Sequence, residues 1–144
     1  MQIYECTGIR YRKRKVPDRM AMSCPERIYD FIKTQPGAIG PIEVMWAVAL
    51  NGQNRIMSYF KVSEGTHNSA SVYPGEIAKR LLLINAASVV IVHNHPSNSL
   101  TPSAQDIRIT ADCKTGLTAL GIVLLDHLII TDKSYISLSE QGHI

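Results

Sequence analysis

Paired cysteines, long apolar runs and a one-sided charge excess are what this 144-residue sequence lacks. Its three cysteines, Cys6, Cys24 and Cys113, are odd in number and make no Cys-x-x-Cys pair. That excludes a disulfide framework and leaves free thiols in a reducing compartment as the expectation. A metal, if there is one, must rest on histidine and carboxylate. No apolar run approaches the ~20 residues needed to span a bilayer, so no membrane partner is expected. The opening MQIYECTGIRYRKRKVPDRM has no apolar core of the secretory-signal kind. A cytoplasmic location is the expectation.

What is present is ordinary for a globular domain: 45% apolar and 19% charged residues, in a chain long enough to bury roughly 70% of its unfolded surface. The net charge of +3 is unevenly spread. Arg10, Arg12, Lys13, Arg14 and Lys15 crowd one hexapeptide, and without these five the chain carries −2. Residues 1–20 therefore read as a basic N-terminal arm, which could contact DNA or another acidic partner, and 21–144 as the folded domain.

Within that domain the pattern is mixed. Ser23 followed by Pro25-Glu26 marks a helix start, and Pro36-Gly37 its end. IEVMWAVAL and RIMSYFKV are β-rich runs flanking Asn51-Gly52, a hairpin signal. Ile77, Leu81 and Ile84 recur at helical spacing over 74–85. SVVIVHNH is apolar in the manner of a strand buried on both faces, closed by Pro96. Thr101-Pro102 supplies a cap and a first-turn proline for a further helix ending at Gly121. GIVLLDHLIIT and SYISLS form a last hairpin around Asp132-Lys133. The expected fold is α/β (α+β): a mixed β-sheet flanked by helices. Nothing specifies an oligomeric state.

The informative stretch is HNHPSNSLTPSAQD, His93 to Asp106. Side chains alternate along a strand, so His93 and His95 share a face. Helical spacing from Asp106 passes through Thr110, Cys113, Leu117 and Leu120 on the face that packs on the sheet, with Ser103 three residues before. Asp106 is thus placed inward, near the histidines, where a lone carboxylate needs a partner or a metal. A capping box from Ser103 to Asp106 competes for the same residues, as does a plain solvated loop. Two imidazoles and a carboxylate leave a fourth tetrahedral position for water, the composition of a catalytic zinc site. Such chemistry wants a general base that is not a ligand. Glu43, at the start of an otherwise apolar strand, is the first candidate, with Glu64 and Glu76 behind it. Ser103 could hydrogen-bond the oxyanion of a tetrahedral intermediate.

The spacing His93-x-His95, seven residues, Ser103, two residues, Asp106 resembles the H-x-H-x7-S-x2-D signature of the JAMM (MPN+/JAB) metalloproteases. More narrowly, VYPGEIAKRLLLINAASVVIVHNHPSNSLTPSAQD and GIVLLDHLIITDKSYISL are similar to the JAB domain of the bacterial RadC family, from about residue 21 to the end. The resemblance implies a JAB/MPN, cytidine-deaminase-like fold, with Zn2+ on His93, His95 and Asp106. It also implies Ser103 supporting the intermediate and Glu43 as the strand glutamate. Deaminase chemistry is not expected, since no H-x-E with a following P-C-x-x-C occurs, nor is there an H-E-x-x-H helix. Longer members of the family carry a helix-hairpin-helix DNA-binding module, where this sequence has the basic arm. The family usually has glycine where Asn98 stands. Asp126-His127 matches a recurring pair whose role the sequence does not reveal; a packed strand-end histidine and support of the metal site are its two readings.

Two functions follow as expectations: a zinc-dependent hydrolase of peptide or isopeptide bonds, and a DNA-repair-associated nucleic-acid-binding protein or nuclease. A metal-bearing adaptor without turnover ranks last, because every catalytic position is filled. The DNA reading predicts binding whose affinity falls as salt rises, by about 0.9 in log K per log unit of salt for each phosphate contacted. Neutralising Arg10, Arg12, Lys13, Arg14 and Lys15 together should weaken that binding in a mobility-shift titration at low salt. Undiminished binding would remove the arm from the account.

Overall fold

The computed structural model describes residues 24–65 and 74–144. The basic arm with Arg10–Lys15, Cys6, and the loop 66–73 lie outside the described residues. The elements run α1 (Pro25–Ile32), β1 (Val44–Leu50), β2 (Ile56–Glu64), α2 (Pro74–Leu83), β3 (Ser88–Asn94), α3 (Ala104–Thr118), β4 (Val123–Ile130) and β5 (Tyr135–Ser137). Five strands form one mixed sheet in the order β2-β1-β3-β4-β5. Only the β3–β4 pair is parallel, because α3 carries the chain back over the sheet between them. This is the α+β sheet flanked by helices that the sequence pattern implies. No helix among the described residues is long and apolar enough to cross a membrane.

The sheet is covered on both faces, so its central strands β1 and β3 are buried along their whole length and can be apolar at consecutive positions. On one face Ile28, Phe31 and Ile32 of α1 pack against Trp46, Val48, Val90 and Val92. On the other, Ile77 and Leu81 of α2 and Cys113 and Leu117 of α3 pack against Ala47, Ala49, Val89 and Ile91. Cys24 is exposed and Cys113 buried, both free, and burial pushes the Cys113 thiol up to about 12, with the Asp112 charge adding to it. Leu120, expected on the inward face of α3, instead lies past the helix end and is exposed.

Local rules set most boundaries. The β1–β2 connection is a five-residue loop, Asn51 to Arg55, rather than a two-residue turn. Asn51 Oδ1 accepts the N–H groups of Gln53 and Arg55, and Asn54, not Gly52, takes the left-handed backbone at φ +56°. Asn85 (φ +54°) and Gly121 (φ +74°) follow α2 and α3 in the same conformation, as helix C-termini favour.

Two features of the sheet determine which side chains reach the end of β3. In β4 a bulge leaves Leu125 unpaired, so that Val89 is opposite Leu124 but Val90 is opposite Asp126. The extra residue reverses the alternation. Leu124 lies on the α2/α3 face and Leu128 on the α1 face, and His127 is turned towards α3. Asn94, pointing the opposite way from His93, accepts the Val44 N–H on Oδ1 at 2.7 Å and donates to the Gly40 and Ile42 carbonyls. It ties segment 40–44 to the end of β3. Asn94→Ala would strand a buried N–H and two carbonyls, and should destabilise the fold by about 2 kcal/mol in denaturant titration. Unchanged stability would mean that those groups find other partners.

Candidate metal centre

β1 and β3 pair antiparallel with Met45 opposite His93 and Trp46 opposite Val92. Continued by two places, that register brings Glu43 opposite His95, on the face that carries Met45 and His93. α3 begins above the same strand end. Its first turn is closed by a capping box: the Asp106 N–H donates to Ser103 Oγ at 3.1 Å, and the Ser103 N–H donates to Asp106 Oδ2 at 2.7 Å. Ser103 is therefore the N-cap, and the start expected at Thr101-Pro102 is corrected. Two reciprocal bonds to otherwise unpaired N–H groups outweigh what a threonine cap and a first-turn proline offer. The box does not exclude a role for Asp106 in a site, because it leaves the carboxylate directed at the histidines.

Three groups converge. The Nε2 atoms of His93 and His95 lie 2.8 Å apart. Asp106 Oδ1 is 3.2 Å from His93 Nε2, and Oδ2 is 3.4 Å from His95 Nε2. One ligand atom from each of these three residues falls within 4.8 Å of the others. The opposite edges of both rings are held. His95 Nδ1 lies 2.7 Å from the Ser99 carbonyl, which can only accept, so that nitrogen carries a proton, and in the neutral ring Nε2 is the one left to offer a lone pair to an ion. His93 Nδ1 lies 2.8 Å from His127 Nε2. Nitrogen and oxygen donors so arranged, each ring steadied through its other nitrogen, fit a small divalent cation such as zinc. The loop that brings Ser99 onto His95 turns at Asn98, which takes the left-handed backbone at φ +59°, a region asparagine tolerates better than most residues.

Burial and close neighbours shift the protonation of Asp106, His95 and His127. Burial alone would raise the Asp106 carboxyl. Contact with the His93 and His95 rings, the His93 charge when that ring is protonated, and the Ser103 N–H outweigh burial and hold it well below the usual carboxylate range. His95 is raised, first by its hydrogen bond to Asp106, against the opposing effect of burial. His127, fully enclosed, is pushed well below an ordinary histidine by burial and then by the proximity of His93.

A cavity of about 530 Å3 opens over the centre, and Glu43, His95, Ser103 and Asp106 all line it, with His93 beneath. Its other walls are hydroxyl-bearing (Ser63, Ser97, Ser99, Thr101) and apolar (Met45, Pro96, Ile109), and no lysine or arginine is among the described lining residues. Of the three candidate bases only Glu43 lines the cavity; Glu64 and Glu76 pair with Lys61 and Lys79 on the surface. Asp126 is not at the site. Its oxygens accept the His127 and Ser139 N–H groups and the Ser137 hydroxyl, fastening the last turn of the chain. Sequence reading left His127 undecided and did not single out Thr110, Asn94 or Ser99 for the site. For His127 the signals were a polar pair inside an apolar run and the match of Asp126-His127 to a recurring pair of the resembled family.

The RadC-like JAB domain model matches residues 22–143. Relatives include a UPF0758 protein of Fusobacterium nucleatum, 41% identical over 72% of this chain and 44% of that protein. Another, from Cellvibrio japonicus, is 39% identical over 84% of this chain and 54% of its own length. A third, from Polaromonas, is 34% identical over 89% and 57%. The chain thus spans about half the length of these curated relatives. With the sheet, the crossover helix and the His-His-Asp cluster all in place, the chain belongs to the RadC-like JAB domain family.

Proposed function

We propose that this chain is a zinc-dependent hydrolase of amide bonds, acting on a peptide, isopeptide or protein substrate, with His93, His95 and Asp106 as the metal ligands. The supporting observation is the convergence of two imidazole nitrogens and a carboxylate on one point, with Glu43 brought across the β1–β3 ladder to the same cavity. A zinc ion held there would polarise a carbonyl and bring the pKa of a water at its open position towards neutrality. Glu43 takes the proton that water gives up and returns it to the leaving amine. Ser103 accepts the Asp106 N–H on its oxygen and presents its hydroxyl hydrogen to the oxyanion that develops on the substrate carbonyl. One water is consumed, and a carboxylic acid and an amine are released.

The cavity favours amides over phosphodiesters. Two carboxylates and no described lysine or arginine line it, a poor setting for a phosphodiester, whose charge Arg and Lys commonly neutralise. Contact of the basic arm with DNA stays a separate proposal.

Wild-type protein should bind one zinc ion per chain, and His95→Ala should lose it, as read by metal analysis after dialysis. Glu43→Gln should keep the zinc while amide hydrolysis falls by about 10²–10⁴-fold. Full metal loading of His95→Ala, or full turnover by Glu43→Gln, would sink the assignment. Zinc affinity should also depend on pH with a set sign. Ligating nitrogens must be unprotonated, and Asp106 raises His95 above the ordinary imidazole value. Protons therefore compete from a higher pH than for a free histidine. The zinc Kd from chelator competition should rise as pH drops from about 8 to about 6, and a flat profile would count against His95 as a ligand.

A further inference from the structure

His127 is 0% exposed, in the apolar run LLDHLII, and the bulge at Leu125 turns it towards α3. Among the described residues no carboxylate contacts its ring: the neighbouring Asp126 is committed to Ser137, Ser139 and the His127 backbone. Both ring nitrogens are nevertheless bonded. Nδ1 lies 2.6 Å from Thr110 Oγ1, and Nε2 lies 2.8 Å from His93 Nδ1.

The directions of these bonds follow from counting hydrogens. Thr110 Oγ1 has one hydrogen and donates it to the Asp106 carbonyl at 2.7 Å, which can only accept. Towards His127, Thr110 can therefore only accept, and His127 Nδ1 carries the proton. In a neutral ring Nε2 is then a lone pair, which accepts the Nδ1–H of His93. His93 in turn has its lone pair on Nε2, the atom that faces His95 and Asp106. The chain begins and ends at Asp106: its backbone carbonyl sets the first bond, and its carboxylate stands beside the nitrogen freed by the last. With a proton on His127 Nε2 instead, His93 Nδ1 would have to accept, and His93 would carry its own proton on the ligating nitrogen.

We propose that His127, held by Thr110, is the positioning residue that keeps His93 in the Nδ1–H tautomer and thereby sets how tightly the centre holds its ion. The inference rests on the metal-binding reading above. Packing alone does not require an imidazole at this place, where phenylalanine has comparable volume and no buried polar atoms to satisfy.

The test uses Zn2+ alone as probe, with nitrogen-15 NMR of the metal-free full chain as a second readout. Metal-free wild type should show His93 protonated on Nδ1 and bare on Nε2. His127→Phe should raise the Zn2+ Kd by about 10–100-fold, the usual effect of removing the partner of a ligating histidine. Thr110→Val should also weaken binding, and Thr110→Ser, which keeps the hydroxyl, should restore it to within about threefold of wild type. If His127→Phe does not fold, the Thr110 pair and the wild-type tautomer decide. His93 protonated on Nε2 in the metal-free wild type would overturn the proposal. So would folded His127→Phe and Thr110→Val proteins that bind Zn2+ as tightly as a wild type that does bind it. A wild type that binds no Zn2+ overturns the parent reading and this one together, and is thereby told apart from failure of the relay alone.

Discussion

The antiparallel ladder between β1 and β3 positions most of the rest. Its register places Met45 opposite His93, and Asn94, locking the Val44 N–H and two carbonyls of the incoming segment, keeps that register from slipping at the end that matters. A slip of one residue would turn Glu43 to the α1 face and leave Asp106 as the one carboxylate among the described lining residues. The same ladder is buried on both sides, so register is enforced by two hydrophobic layers as well as by backbone hydrogen bonds. A polar centre built on the end of such a strand inherits its rigidity.

Asp106 shows how one buried carboxylate can serve structure and chemistry together. One oxygen takes the Ser103 N–H and the other faces His93, while its backbone carbonyl takes the Thr110 hydroxyl. Placed in the first turn of α3, it is also favoured by the positive end of the helix dipole. Helix start, proposed metal ligand and hydrogen-bond relay meet at this residue. The capping box and the convergence of Asp106 on the two histidines, which compete as interpretations of Ser103-x-x-Asp106, coexist in the fold, because a carboxylate has enough lone pairs for both.

Much of the centre was legible in the sequence because its ligands are local. His93 and His95 alternate along one strand, and Asp106 follows a short turn on the inward face of the next helix; periodicity alone puts them near one another. The helix start was misread for a related reason. Thr101-Pro102 and Ser103-x-x-Asp106 both satisfy local capping rules two residues apart, and the reciprocal Ser103–Asp106 bonds of the folded helix start choose between them. Leu120 was misplaced because helical spacing says nothing of where the helix stops. Glu43 could be nominated as a charge in an apolar run, but bringing it opposite His95 needed the pairing of strands 50 residues apart in sequence.

His127 marks the boundary most clearly. Strict alternation along β4 would have placed it on the face opposite Leu124, away from the site, and no residue type announces the bulge at Leu125 that reverses this. The sequence by itself determined which residues could bind an ion, because a ligand set is chemistry carried on nearby positions. Tertiary structure alone decided which glutamate faces it, which lone pairs point inward and which buried histidine stands behind His93. Those depend on register, bulge and the direction of hydrogen bonds, and each is set by contacts between segments far apart in the chain.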